Sequence, residues 1–191
     1  MHLTSRTSSR IVSLTLAPVA LATALLGAAL APASAERASY ADPDKDSGYS
    51  LNDLRRVAVN HDADRFSVRV KVVDLRRRSE AGPAGLTIRV DTRSGRSGPE
   101  YRLTTGLYSG TDYQLMRVRG GKAVGDPLSC DHTVRLGFAA DVVRFSADRA
   151  CLGSPARARV SVKMTDLYDG SHPVTDWLGA PGSWTSWLAA G

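Results

Sequence analysis

The densest set of hard-cation ligands in the sequence is Asp42-Pro43-Asp44-Lys45-Asp46-Ser47-Gly48, with Asp53 seven residues beyond Asp46. Asp42, Asp44, Asp46 and Asp53 fall at positions 1, 3, 5 and 12 of a loop. At that spacing alternate carboxylate oxygens can wrap one calcium ion. The pattern departs from the usual loop in two places. Ser47 stands where a glycine normally makes the sharp turn, and Asp53 is shorter than the usual bidentate glutamate. No helical period precedes the loop. The plain alternative is a flexible acidic leader, residues 36–52, ahead of the first strand.

Three other sets carry potential chemistry. Trp177, Trp184 and Trp187 crowd the last fifteen residues. Indole faces in a row can stack on sugar rings, and the same side chains can cap a core. Cys130 and Cys151 are the only cysteines. A pair in an exported chain implies one disulfide, closing a loop of about 20 residues and contributing roughly 3 kcal/mol. The alternative, a reactive or metal-binding thiol, has only His132 nearby as a partner. His61, His132 and His172 are far apart and sit among turn formers, as surface histidines do. No G-x-S-x-G elbow and no H-E-x-x-H helix is present, so the common hydrolase constellations are missing. Asp91 and Asp112 lie at strand ends, where glycosidase carboxylates and ordinary turn aspartates both occur. A catalytic assignment is therefore not made, and no catalytic residue is named.

These groups follow an export segment. Arg6 and Arg10 charge the first ten residues, Ile11–Leu30 is largely apolar, and Ala33-Ser34-Ala35 ends the run with small residues. That order reads as a secretory signal peptide over residues 1–35. An uncleaved anchor is the alternative, disfavoured by Pro18 and by the Ala-Ser-Ala ending. No cysteine lies near the cleavage site to take a lipid, and the C-terminus has no apolar tail. The expectation is a secreted, extracellular product with no stable membrane anchor after cleavage. Removal of 35 residues from the 191 leaves 156, the size of one domain. It also takes two arginines from a net charge of +6, leaving +4. That mild excess suits attraction to anionic polymers of a cell wall and does not point to nucleic acid, since no basic run is interleaved with aromatics. The one dense basic run, Arg76-Arg77-Arg78, reads as a solvated loop.

Period-two alternation dominates the exported part. Phe66, Val68, Val70 and Val72 alternate with Ser67, Arg69 and Lys71. Leu86, Ile88 and Val90 alternate with Thr87 and Arg89. Val134, Leu136 and Phe138 alternate with Thr133 and Arg135. Ala156, Ala158, Val160, Val162 and Met164 alternate with Arg157, Arg159, Ser161 and Lys163. Each segment has one dry face and one wet face, the mark of antiparallel sheets solvated on one side. Weaker strands are expected at 55–60, 101–105, 113–119 and 142–145. Turn formers separate them, among them His61-Asp62-Ala63-Asp64 and Gly120-Gly121. About eight strands predict an all-β, antiparallel β-sandwich over residues 53–191, preceded by a helical signal peptide.

The cysteines sharpen one hairpin. A two-residue loop at Ala140-Asp141 would set Phe138 opposite Val143, Leu136 opposite Phe145 and Val134 opposite Ala147, all apolar. Cys130 would then face Cys151, as a disulfide clamp on the open end.

Three segments together resemble a group of small secreted bacterial proteins without an assigned function: Asn52-Asp53-Leu54-Arg55-Arg56-Val57-Ala58-Val59-Asn60-His61; Val90-Asp91-Thr92 with Gly98-Pro99-Glu100-Tyr101; and Arg149-Ala150-Cys151-Leu152-Gly153-Ser154-Pro155. The strand order and acidic leader are similar to the ligand-binding β-sandwiches related to DOMON domains and family 9 carbohydrate-binding modules. Export, the β-sandwich pattern, the outward arginines and the C-terminal tryptophans together point to a non-catalytic module that binds a glycan or cell-wall polymer. Two other readings stay open: a structural or protein-interaction domain, and a glycoside hydrolase-like enzyme with scattered carboxylates.

Overall fold

The computed structural model describes residues 35–78, 83–167 and 172–191. The expected signal peptide, apart from Ala35, lies outside the described residues. The described residues form one compact unit.

The fold is all-β, with two antiparallel sheets. The first contains five strands in the order β1-β2-β3-β9-β8, namely β1 (Glu36–Ala41), β2 (Leu54–His61), β3 (Arg65–Val72), β8 (His132–Gly137) and β9 (Val142–Asp148). The second runs β11-β10-β4-β5-β6-β7. Its strands are β4 (Ala84–Asp91), β5 (Tyr101–Gly106), β6 (Tyr113–Arg119), β7 (Lys122–Val124), β10 (Arg157–Asp166) and β11 (Val174–Trp177). A short β12 (Leu188–Ala189) pairs with β10. One 3₁₀ turn, Arg149–Leu152, follows β9.

The alternation seen in the sequence decides which side chains meet between the sheets. Phe66, Val68, Val70 and Val72 from β3 and Val143, Phe145 and Ala147 from β9 are buried. They share one core with Leu86, Ile88 and Val90 of β4 and Ala158, Val160, Val162 and Met164 of β10. Burying such side chains contributes about 1.5–3 kcal/mol each. The intervening polar residues belong to the outer faces, where a ligand can be met, except that Ser161 is covered at 1% exposure.

The structure departs from the sequence expectations in four ways. The described residues hold twelve strands, not eight. β1, β7, β11 and β12 are short edge or terminal pieces whose main-chain pairing holds them without a strong alternation. Secondly, residues 36–52 are not a free leader. Glu36–Ala41 is an edge strand in full register with β2, Glu36 opposite His61 and Ala41 opposite Arg56. Residues after it form a loop closed by main-chain bonds such as Gly48 N to Lys45 O.

Thirdly, the β8–β9 hairpin is shifted by two residues. Val134 faces Phe145 and Leu136 faces Val143. Phe138 lies in a four-residue loop instead of the strand. Asp141 sits there with φ 50°. Its carboxylate accepts from Lys71 Nζ at 3.0 Å and from the Leu75 amide at 3.1 Å, which anchors the longer loop. An even slip leaves every side chain on its own face, so the apolar pattern tolerates it.

The Cys130–Cys151 disulfide does form, with Cα atoms 5.6 Å apart, and it does close the open end of this hairpin. Its two ends lie just beyond the paired strands, one before β8 and one in the 3₁₀ turn. The fourth difference is His61. It is fully buried, not a surface residue. It continues the inward face of Val57 and Val59, donates from Nδ1 to the Leu188 carbonyl at 3.1 Å, and meets Phe66 edge-on.

Candidate functional site

Three features among the described residues gather polar chemistry: the outer face of the second sheet, the outer face of the first, and a pocket where the loop after β1 meets β11.

On the second sheet, β4 turns Thr87, Arg89 and Asp91 outward. The register sets Lys163 of β10 opposite Thr87, and Arg102 of β5 opposite Arg89. Two cavities indent this face. One, of about 350 Å³, is lined by Arg89, Arg102 and Lys163 and by no carboxylate. The other, of about 470 Å³, carries Tyr108, Thr111, Gln114 and Thr165 and one carboxylate, Asp112. Both are lined by Thr87 and Thr104, so they adjoin as one groove across β10, β4, β5 and β6. Three strand spacings make that about 14 Å. Within it, Arg102 Nε is shielded from solvent and has no hydrogen-bond partner. A buried donor without an acceptor is costly, and an anionic ligand would supply one.

The tryptophans edge this face. None belongs to the core, and all three are half-buried. Trp177, opposite Lys163 across the β10–β11 pair, has Arg89 at 4.8 Å and Lys163 at 5.6 Å from its ring centroid. Trp184 and Trp187 are placed by the C-terminal tail, which runs back along β10. The Thr185 amide donates to the Val160 carbonyl at 2.9 Å, and the Val160 amide to Thr185 Oγ1 at 3.0 Å. Their rings bracket Arg159, at 5.0 and 4.6 Å. Arg159 in turn gives two hydrogen bonds, 2.9 and 2.8 Å, to one oxygen of Asp91. Asp91 is thus a buried structural anion. Its role in holding Arg159 accounts for it without a catalytic one.

On the first sheet, Arg69 of β3 faces Arg144 of β9, and Arg144 faces Arg135 of β8. All three are exposed, and among the described residues none forms an ion pair. Like charges directly across strands repel, and a bound polyanion relieves that. Beside them a cavity of about 480 Å³ is floored by small residues, including Ala58 and Ser67.

The acidic pocket contains some of the residues expected from the sequence and adds one. Carboxylate oxygens of Asp42, Asp46 and Asp176 lie within 4.8 Å of one another. Asp42 is 7% exposed and Asp176 is 3% exposed. Asp176 was missed because it is 134 residues from Asp42. Its one sequence signal was its place on the inward side of Val174-Thr175-Asp176-Trp177. Asp44 turns away and pairs with Arg55. Asp53 is buried with both oxygens engaged, accepting from Lys45 N at 3.0 Å, Ser47 N at 3.2 Å and Ser47 Oγ at 2.5 Å. It shapes the loop instead of lining the pocket with a free oxygen.

Burial raises the carboxyl of Asp42 to about 6, against the pull of the Gly179 amide. Burial also raises Asp176 to about 7, against the Leu54 amide, with neighbouring carboxylates adding to the rise. Asp46 is raised for the same two reasons, burial first. Burial lowers the imidazole of His61.

The remaining candidates separate. Cys130, His132 and Cys151 lie together, but both sulfurs are spent in the disulfide. His132 Nδ1 donates to the Cys130 carbonyl at 2.7 Å. The chain matches no protein-family model and no curated protein.

Proposed function

We propose that the protein is an exported, non-catalytic β-sandwich module that binds an anionic glycan or cell-wall polymer in the groove on the outer face of the second sheet. The observation that carries the reading is the convergence of Arg89, Arg102 and Lys163 on one cavity without a carboxylate in its lining. The adjoining cavity supplies hydroxyl, amide and tyrosine groups of the kind that grip sugar hydroxyls. Trp177 stands at the edge with its ring against two of the three cations. Adjoining cavities of this size are within the range of ligand sites. Export rests on the order of Arg6, Arg10, the apolar run and Ala33-Ser34-Ala35, and agrees with the disulfide. The resemblance to carbohydrate-binding β-sandwiches points the same way.

The test is retention on purified wall polymer and on acidic and neutral polysaccharides. Binding should weaken as salt rises, because exposed charges are screened. Lys163→Glu should weaken it by about tenfold or more, the effect of losing one charge-assisted contact. No retention at low salt sinks the reading.

The unpaired row Arg69–Arg144–Arg135 favours a second reading, in which the polyanion lies on the first sheet. Retention that survives Lys163→Glu and is lost in Arg69→Glu would select it.

A further inference from the structure

We infer that Asp42, Asp46 and Asp176 form a binding site for a calcium ion that ties the loop after β1 to β11. Two of the carboxylates come from the loop after β1 and the third from β11, and their oxygens lie within 4.8 Å of one another. Oxygens on opposite sides of a calcium ion, at about 2.4 Å each, stand about 4.8 Å apart, so one ion can touch all three. Among the described residues no lysine, arginine or histidine pairs with Asp42, Asp46 or Asp176; the nearest loop ion pair is Asp44 with Arg55.

A second observation points to a ligand independently of the charge. Asp42 is more than nine-tenths buried, and its Oδ2 is shielded from solvent with no hydrogen-bond partner. Its other oxygen is engaged, accepting from the Gly179 amide at 2.6 Å. Asp176 Oδ2 likewise accepts from the Leu54 amide at 2.7 Å. Backbone donors therefore fix both carboxylates in place, as they do for metal ligands, and leave one oxygen of Asp42 aimed at nothing else. A buried carboxylate oxygen without a proton donor or cation is strongly unfavourable. Asp46 is exposed and completes the set from the loop that Asp53 holds in shape. The donors are oxygen only, with no sulfur or imidazole, which selects a hard cation over zinc or copper. A loop that offers main-chain carbonyls and admits water suits calcium better than the strict octahedron of magnesium.

The inference does not depend on the polymer-binding reading, and its test is separate. The purified protein is treated with EDTA, dialysed, and titrated with calcium chloride by calorimetry and by thermal unfolding. At a calcium concentration about 100 times the Kd, the Tm should rise by roughly 5–10 °C. Asp176→Asn should abolish the rise. Asp46→Asn, at an exposed loop position that leaves the fold intact, should weaken binding by roughly tenfold or more. Asp44→Asn, whose carboxylate faces Arg55, should keep the wild-type response. If the wild-type protein shows neither heat nor a Tm rise, the inference fails. A rise that persists in both Asp46→Asn and Asp176→Asn places the ion elsewhere and overturns it equally.

Discussion

Replacing Arg159 with alanine strips a fully buried carboxylate of the one cation that pairs with it among the described residues. The Asp91 side chain is 0% exposed, while that of Arg159 is 29% exposed. One Asp91 oxygen takes both Arg159 bonds, and the other keeps only the Arg93 amide at 3.1 Å. Breaking a buried pair from one side costs about 3–5 kcal/mol. The lost contacts to the Trp184 and Trp187 rings add about 0.5–1 kcal/mol each at half-exposed sites. The partial exposure of Arg159 lets water reach Asp91 in the variant, which argues for the lower part of that range, about 4 kcal/mol. For a domain of this size each kcal/mol moves the Tm by roughly 2–4 °C, so a fall of about 8–16 °C is expected. Urea unfolding followed by tryptophan fluorescence measures it, and the two indoles on Arg159 report the site directly. The paired change Asp91→Leu with Arg159→Met should recover most of the loss, because an apolar pair needs no counter-charge. A cost of Arg159→Ala below about 1 kcal/mol, with the double variant merely additive, would refute the reasoning. The pair would then be an ordinary surface ion pair.

Two further outcomes follow from buried groups. His61 has its imidazole pKa depressed by burial, so the unfolded chain binds a proton that the folded chain refuses. The His61 contribution to stability is fully present above the unfolded value of about 6.5 and is lost as pH falls below it toward the folded value. The raised carboxyls of Asp42 and Asp176 act in the opposite sense over the same range, so the His61 part is read as the difference between wild type and His61→Phe in pH-dependent urea melts. Severing the Cys130–Cys151 bond by double serine substitution should lower stability by roughly 3 kcal/mol, read as a fall in the urea midpoint; an unchanged midpoint would mean the loop is ordered without the bond.

How much of this was legible in the sequence differs by element. β3, β4 and β10 have long alternating runs, and β3 and β4 came out as read; in β10 the reading fails at Ala156, which is exposed ahead of the strand, and at Ser161, which is buried at 1% exposure. β7 and β12 have two or three residues each, and no pattern of period two can be recognised over so short a span. The β8–β9 register was missed by two because an even slip keeps every side chain on its own face. The observed register goes with Asp141 reaching Lys71 and Leu75, which is tertiary information. His61 was misread for the opposite reason. Its neighbours are turn formers, yet it continues the alternation of Val57 and Val59, and that alternation was the better guide.

The acidic pocket shows where a spacing argument stops. Carboxylates two residues apart suggested a self-contained loop around one ion. The loop instead sends its members in different directions: Asp44 to Arg55, Asp53 to the amides of Lys45 and Ser47, and only Asp42 and Asp46 to the pocket. The third carboxylate comes from β11, where Asp176 faces inward and Trp177 outward. Consecutive residues of one strand thus belong to the pocket and to the rim of the groove. β11 is four residues long and pairs with β10 at the sheet edge. So short a strand gains little from pairing alone, so the side-chain contacts of Asp176 and Trp177 carry much of its placement. The tryptophans, weighed in the sequence as core or as a bare stacking row, are neither. They lie over arginine and lysine side chains on a sheet face, a position set by the tail that folds back along β10.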